Sequence, residues 1–131
     1  MLSRDQLSAI SYWLTRIVKA KVFNVNFGKV NMIDVSSLVL TSKTDITSAL
    51  KIVSTQYTAS EYKTFLSLMN SAYKKLEKAY ELIEDDNPQE YQLYLVMDRV
   101  EWLLLLLEDE ELNVDAELQC FNVENIKMMR G

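Results

Sequence analysis

The longest periodic pattern of apolar side chains in this sequence lies between residues 58 and 84. Apolar residues recur at steps of three and four from Tyr62 to Ile83, which is the spacing that keeps side chains on one face of a helix. Thr58 and Glu61 precede the pattern and match a capping box, a common start of a helix. The sequence therefore predicts a long helix from Thr58 to about Glu84.

A second apolar segment follows after a short link. Asn87 and Pro88 begin it, and they suit the N-cap and the first helical position. From Tyr91 to Leu107 most side chains are apolar, and they lie almost all round the predicted helix, which extends to about Leu112. Such a helix is either central in the fold or covered by another subunit. A link this short predicts that residues 58–112 form an antiparallel helical hairpin.

Weaker patterns occupy the N-terminal part of the chain. Amphipathic spacing predicts one helix over residues 3–21 and another over residues 44–56. Residues 34–41 fit a short helix or an extended segment, and the pattern does not decide between them. Residues 22–35 alternate apolar and polar side chains around Gly28, which is typical of a short β-hairpin. An irregular linker is the alternative, because asparagine is a poor strand residue.

These patterns together predict the fold class. A chain of 131 residues with two glycines and one proline favours long regular segments over many tight turns. We therefore expect a single, mainly α domain over residues 1–131. It is a small bundle of four to five helices around the long antiparallel hairpin, with the β-hairpin near residues 22–35 as an optional addition.

The composition removes most of the side chains on which catalysis depends. Histidine is absent, which excludes the commonest general base and the usual zinc ligand. Cys120 is the only cysteine and has no histidine to activate it, so we interpret it as a buried apolar residue. Two glycines cannot form a glycine-rich phosphate loop. We expect no enzymatic activity, no metal and no cofactor.

The N-terminal residues and the apolar segments also predict where the protein is located. Residues 1–21 are amphipathic and lack the apolar run of a signal peptide. The longest uncharged apolar segments are far shorter than the ~20 residues of a membrane span. We therefore expect a cytoplasmic protein that does not enter a membrane, located in the host cytoplasm if it is viral.

Charge is distributed unevenly along the chain. Residues 1–80 carry a net charge of +6 and residues 81–131 a net charge of −11, within a total of −5. Many of the acids fall in two clusters, at the start and at the end of the second long helix. The eight residues of these clusters are Glu84, Asp85, Asp86, Glu90, Glu108, Asp109, Glu110 and Glu111.

The predicted hairpin separates the two acidic clusters. A helix rises 1.5 Å per residue, so they lie roughly 30–35 Å apart and cannot form one catalytic pair or metal site. One interpretation is that the chain's own basic residues, Arg16, Lys19, Lys21 and Lys29, neutralise the clusters. The other is that both clusters bind a basic surface on another protein.

Two further groups of side chains are candidates for contacts with partners. Four lysines are spaced along one side of the first long helix, where they suit either a solvated face or contact with nucleic acid. The acidic total of the chain favours the solvated face, so we expect no direct nucleic-acid binding. Three tyrosines are the least committed to a core face. The lysines are Lys63, Lys74, Lys75 and Lys78, and the tyrosines are Tyr57, Tyr91 and Tyr94.

The function expected from these features is non-enzymatic protein binding through the acidic helix ends. Small, acidic proteins without catalytic groups are typical of inhibitors or adaptors encoded by viruses or mobile elements, which occupy a surface of a larger host machine. The alternative is a structural or assembly protein that self-associates, as a homodimer or larger homo-oligomer, through the apolar helix 91–107.

Overall fold

The computed structural model describes residues 4–24, 33–55 and 59–108. In these three ranges the chain forms four α-helices and one 3₁₀ helix and contains no strand. The prediction of a mainly α, small helical bundle is confirmed. The elements are α1 (Arg4–Val18), the 3₁₀ helix (Lys21–Asn24), α2 (Ile33–Thr55), α3 (Ala59–Leu82) and α4 (Glu90–Glu108).

Helix α3 lies between two neighbours and carries the main stripe of the core. It packs most extensively on α2 and also packs on α4. Its buried residues recur at the three- and four-residue steps seen in the sequence, so the predicted apolar face points into the bundle. These residues are Phe65, Met69, Ala72, Leu76 and Ala79, and the buried Ile83 directly after the helix continues the series.

Helices α3 and α4 form the predicted antiparallel hairpin. The Tyr73 hydroxyl donates a hydrogen bond of 2.7 Å to the Glu101 carboxylate, and the ring centroids of Tyr80 and Tyr94 are 5.8 Å apart. Moving seven residues forward on α3 therefore corresponds to moving seven residues back on α4. This register confirms the hairpin and brings the end of α3 next to the start of α4.

The apolar surface of α4 is mostly covered within the chain. Leu103, Leu104 and Leu106 are buried, whereas Leu105 is exposed. Only Tyr91, Tyr94 and Leu105 are exposed among the described apolar side chains of this helix. The helix is covered by α3 and by the 3₁₀ helix, so a second subunit is not needed to explain its composition.

The N-terminal segment closes the bundle. Helix α1 packs on α2 and buries Trp13, and the 3₁₀ helix touches both α2 and α4. Val22 and Phe23 in the 3₁₀ helix are buried, and the Phe23 amide donates a hydrogen bond of 3.2 Å to the Ala20 carbonyl. A tight helical turn here places two successive side chains in one core, whereas successive side chains of a strand point to opposite faces.

The ends of the proposed β-hairpin over residues 22–35 are therefore helical. Residues 22–24 belong to the 3₁₀ helix and residues 33–35 to α2, while residues 25–32 lie outside the described part of the chain. The first helix also ends at Val18, earlier than the predicted boundary near residue 21.

Helix α2 is longer than the sequence indicated. It is continuous from Ile33 to Thr55, so residues 34–41 are helical and Thr44 is not a helix start. The side-chain hydroxyl of Thr44 donates to the Leu40 carbonyl at 3.1 Å, and the buried hydroxyl of Ser42 donates to the Val39 carbonyl at 2.7 Å. Such bonds satisfy polar side chains inside a helix, so the polar stretch does not interrupt it.

A polar cluster joins α2 to α3. The Asp45 carboxylate accepts hydrogen bonds from the Ser71 hydroxyl at 2.9 Å and from the Lys75 ammonium group at 2.8 Å. The Asp45 side chain is only 15% exposed and that of Lys75 is 32% exposed. The prediction that Lys75 faces solvent with the other lysines of this helix is therefore wrong, because an acid on α2 holds it at the interface.

Tyr73 links α3 to α4 through its hydroxyl group. Besides Glu101, the hydroxyl lies 3.1 Å from the Glu77 carboxylate. The hydrogen bond to Glu101, partial burial and the hydrogen bond to Glu77 together raise the pKa of the Tyr73 phenol above its usual value. The folded chain therefore retains this proton at a pH at which the unfolded chain begins to lose it.

We expect Tyr73→Phe to lower the free energy of unfolding by about 1 kcal/mol near neutral pH, because a partly buried hydrogen bond to a carboxylate is lost. Since the pKa of Tyr73 is raised in the folded state, its contribution is complete below about pH 10 and declines as the pH rises further. Urea titrations at about pH 7 and about pH 10.5 measure the difference between the two chains. A difference that grows at the higher pH would contradict this assignment.

Candidate functional site

Four of the predicted acidic residues lie together at one end of the α3–α4 hairpin. Glu84, Asp85 and Asp86 occupy the link after α3, and Glu90 is the first residue of α4. Asp85 and Asp86 are exposed, whereas Glu84 and Glu90 are half-buried. The link and the first turn of α4 therefore present a group of carboxylates, which we call the acidic turn.

The acidic turn is held by a helix cap. The Asn87 side-chain oxygen accepts a hydrogen bond of 2.8 Å from the Gln89 amide, and the Asn87 carbonyl accepts one of 3.0 Å from the Glu90 amide. These bonds show that Asn87 caps the turn that leads into α4, as the sequence predicted. Pro88 lies in that turn, because α4 itself begins at Glu90. Glu90 lies near the positive end of the α4 dipole, which favours its negative charge.

An open groove lies beside the acidic turn, with a volume of about 400 Å³. One wall is the last turn of α3 and the other is the first turn of α4. Tyr80 and Tyr94 contact each other at 5.8 Å with their rings tilted by 48°, so neither ring face covers the other completely. The lining residues are Tyr80, Asn87, Pro88, Glu90, Tyr91 and Tyr94.

The tyrosines of this groove are partly those that the sequence singled out. Tyr91 is 59% exposed and Tyr94 is 42% exposed, as expected of side chains not committed to the core, whereas Tyr57 lies outside the described residues. Tyr80 was missed, since its position on the α3 stripe suggested a core residue. One signal in the sequence could have identified Tyr80 as a site residue. Its ring carries a polar hydroxyl group, and it lies only about one helical turn before the acidic residues that begin at Glu84.

The groove is on a strongly acidic part of the chain. Between Lys78 and Arg99 the sequence contains no lysine or arginine. Among the described side chains, none of the basic groups pairs with Asp85, Asp86 or Glu90. The carboxylates in this interval are Glu81, Glu84, Asp85, Asp86, Glu90 and Asp98.

The structure describes three of the four basic residues that could neutralise the acidic clusters, namely Arg16, Lys19 and Lys21. The Arg16 guanidinium lies over the ring of Tyr12, 5.1 Å from its centroid, and donates a hydrogen bond of 2.9 Å to its hydroxyl. Lys19 and Lys21 are exposed, and Lys29 lies outside the described residues. No ion pair joins any of these three to Asp85, Asp86 or Glu90 in the described part of the chain.

The second acidic cluster begins at the other end of α4. Helix α4 is 19 residues long, which at 1.5 Å per residue separates its ends by about 28 Å. The backbone of Glu108 ends the helix. Its side chain and residues 109–111 (Asp109, Glu110 and Glu111) lie outside the part of the chain that can be described.

Two further features of the described ranges concern metals and membranes. Within residues 4–24, 33–55 and 59–108, no three acidic or cysteine side chains converge in a group suited to a metal ion. None of the described helices combines the length and apolar character that crossing a bilayer requires. Cys120 falls outside these ranges.

Comparisons of the chain with models of protein families, with curated proteins and with solved structures found no match.

Proposed function

We propose that this chain is a non-enzymatic protein-binding domain that uses the acidic turn and the adjoining tyrosine groove to bind a basic surface on another protein. The observation that carries the proposal is the open groove of about 400 Å³ in which three tyrosine rings lie beside a half-buried glutamate. Tyrosine is enriched at interfaces because it combines a large apolar ring with a polar group.

The carboxylates of the acidic turn support the proposal that the partner's surface is basic. Carboxylates at the rim of an interface attract a basic partner during encounter and exclude acidic ones. A domain of this kind acts by occupying its partner's surface, as an inhibitor or an adaptor. Its acidic composition without histidine suits a product of a virus or mobile element working in the host cytoplasm. The second acidic cluster, residues 108–111, extends the same charge along the chain.

Affinity purification from the native host tests this function. The double variant D85N/D86N removes two exposed charges of the acidic turn with little change in shape. We expect it to lower the affinity for the captured partner by about tenfold at low salt, mainly through slower association. The matched control D34N/E77Q removes two exposed charges from α2 and α3, away from the acidic turn, and should leave the affinity unchanged within about twofold.

A result against the proposal is equally well defined. The electrostatic role is wrong if the partner stays bound at high salt and both double variants retain it like the unaltered chain. Binding of that kind would place the interface away from the acidic turn, because screening weakens exposed charge pairs first.

Self-association through residues 91–107 is a second candidate. Leu105 and Tyr91 are exposed on α4, and they are the observation in its favour. Asp98 and Glu101, which are half-buried, lie between them along the helix, and a symmetric contact would bring these acids close to their copies. Light scattering across the micromolar range decides this candidate, since a strict monomer removes it.

A further inference from the structure

The chemistry of the groove restricts what it can hold. Its volume of about 400 Å³ falls at the lower end of the range of about 300–1,000 Å³ for small-molecule sites. A whole helix, about 10 Å in diameter, does not fit into it. The occupant is therefore a side chain, or two neighbouring side chains, of an extended segment.

The walls of the groove favour a cation. A positive group is attracted by the faces of aromatic rings within about 6 Å, and Tyr80, Tyr91 and Tyr94 provide three such rings. Glu90 adds a carboxylate to the same wall, and Asp85 and Asp86 lie in the preceding link. An uncharged segment such as a proline-rich peptide would cover Glu90 without pairing its charge, which is unfavourable.

Arginine meets these requirements better than lysine. Its guanidinium is planar, weakly hydrated and able to stack on a ring while it forms two hydrogen bonds to a carboxylate. The first part of this arrangement occurs within the chain, where the Arg16 guanidinium lies over the ring of Tyr12 and donates to its hydroxyl. We infer that the groove between α3 and α4 binds one arginine side chain from an extended basic segment of the partner, an inference that rests on the proposed function.

Titration of the full isotope-labelled chain by NMR tests the inference with four probes. The probes are Gly/Ser peptides that carry spaced arginines, lysines, citrullines or prolines at the same positions. We expect the arginine peptide to shift the resonances of Tyr91, Tyr94 and Glu90. The lysine peptide should bind about three- to tenfold more weakly, and the citrulline peptide, which keeps the shape of arginine without its charge, at least about tenfold more weakly.

Variants then locate the bound arginine. Tyr91→Leu removes an exposed ring and should weaken the arginine peptide by about five- to tenfold. Tyr94→Leu should have a similar effect, and circular dichroism verifies its fold. Tyr12→Leu is the matched control, because Tyr12 is an exposed tyrosine on α1, and it should leave the affinity unchanged.

Three results would overturn the inference. Equal binding of arginine and lysine peptides with no effect of Tyr91→Leu would leave electrostatic protein binding intact but remove the arginine site. Binding of the proline peptide in the groove would assign it to an uncharged ligand. If no peptide shifts the groove resonances, the arginine site is rejected, while D85N/D86N in the capture experiment still judges the proposed function separately.

Discussion

Leu103→Ala is expected to lower the free energy of unfolding by about 2–5 kcal/mol, whereas Leu105→Ala should change it by less than about 0.5 kcal/mol. The two leucines are two positions apart in α4, yet Leu103 is 0% exposed and Leu105 is 56% exposed. Truncating the buried side chain removes apolar contacts and leaves a cavity between packed helices. The exposed one loses few contacts on truncation, because much of its surface is already in water.

Urea unfolding followed by far-UV circular dichroism measures both changes, and the two variants serve as each other's control. Identical substitutions in one helix share the same change in helix propensity, so their difference reports burial alone. Similar losses for both variants would mean that a second copy or another part of the chain covers Leu105. That outcome would favour the self-associating alternative, and its dependence on protein concentration would identify it.

Asp45→Ala is expected to cost about 1.5–3 kcal/mol, the second-largest effect, because it removes the acceptor shared by Ser71 and Lys75. Asp45 is largely buried, and the two groups that it satisfies belong to α3. Without the carboxylate, the Lys75 ammonium must reach toward water from a partly covered position. The partial exposure of Lys75 lets solvent recover some of the loss, which keeps the effect below that of a fully buried pair.

A double-mutant cycle with Lys75→Met isolates the pair, and thermal or urea unfolding supplies the four free energies. The matched control is Glu81→Gln, which breaks the exposed pair of Lys78 and Glu81, 3.7 Å apart. Exposed pairs one helical turn apart contribute little, so this change should stay within about 0.5 kcal/mol. A coupling of Asp45 and Lys75 no larger than the control would show that the contact does not hold α2 on α3.

The α3–α4 hairpin could be predicted because local signals and periodicity agree there. Residues Tyr62 to Ile83 repeat at helical spacing, and Asn87 with Pro88 marks the next start. The short link then leaves only an antiparallel arrangement. Four acidic residues were correctly brought together at one end for the same reason, since their positions follow from the hairpin alone.

Helix α2 was misjudged because its polar residues suggest boundaries that the structure does not contain. Threonine and aspartate near residues 44 and 45 resemble a helix start, but the Thr44 hydroxyl bonds back to the preceding turn and Asp45 bonds to α3. The second partner comes from a segment distant in sequence, so no local pattern records it. The ion pair of Lys75 with Asp45 could not be predicted for the same reason, because the two residues lie on different helices.

The sequence identified two of the three tyrosines of the groove, and it missed the third for a related reason. Tyr91 and Tyr94 are the tyrosines of α4 that the sequence pattern commits least to a core face, so they could be predicted as exposed. Tyr80 lies on a core stripe, and its role depends on the register that sets it against Tyr94. For the five leucines near the end of α4, the pattern could not separate exposed from buried positions, because an uninterrupted apolar run gives no sign of which side faces water.

The lining of the groove falls entirely between residues 80 and 94, so the proposed recognition surface is one contiguous stretch of the polypeptide. Substitutions confined to that stretch are enough to redirect it to a different partner. Residues of α1 and α2 are free to diverge as long as they keep the bundle packed. Selection on binding and selection on folding would thus act on largely separate portions of the gene.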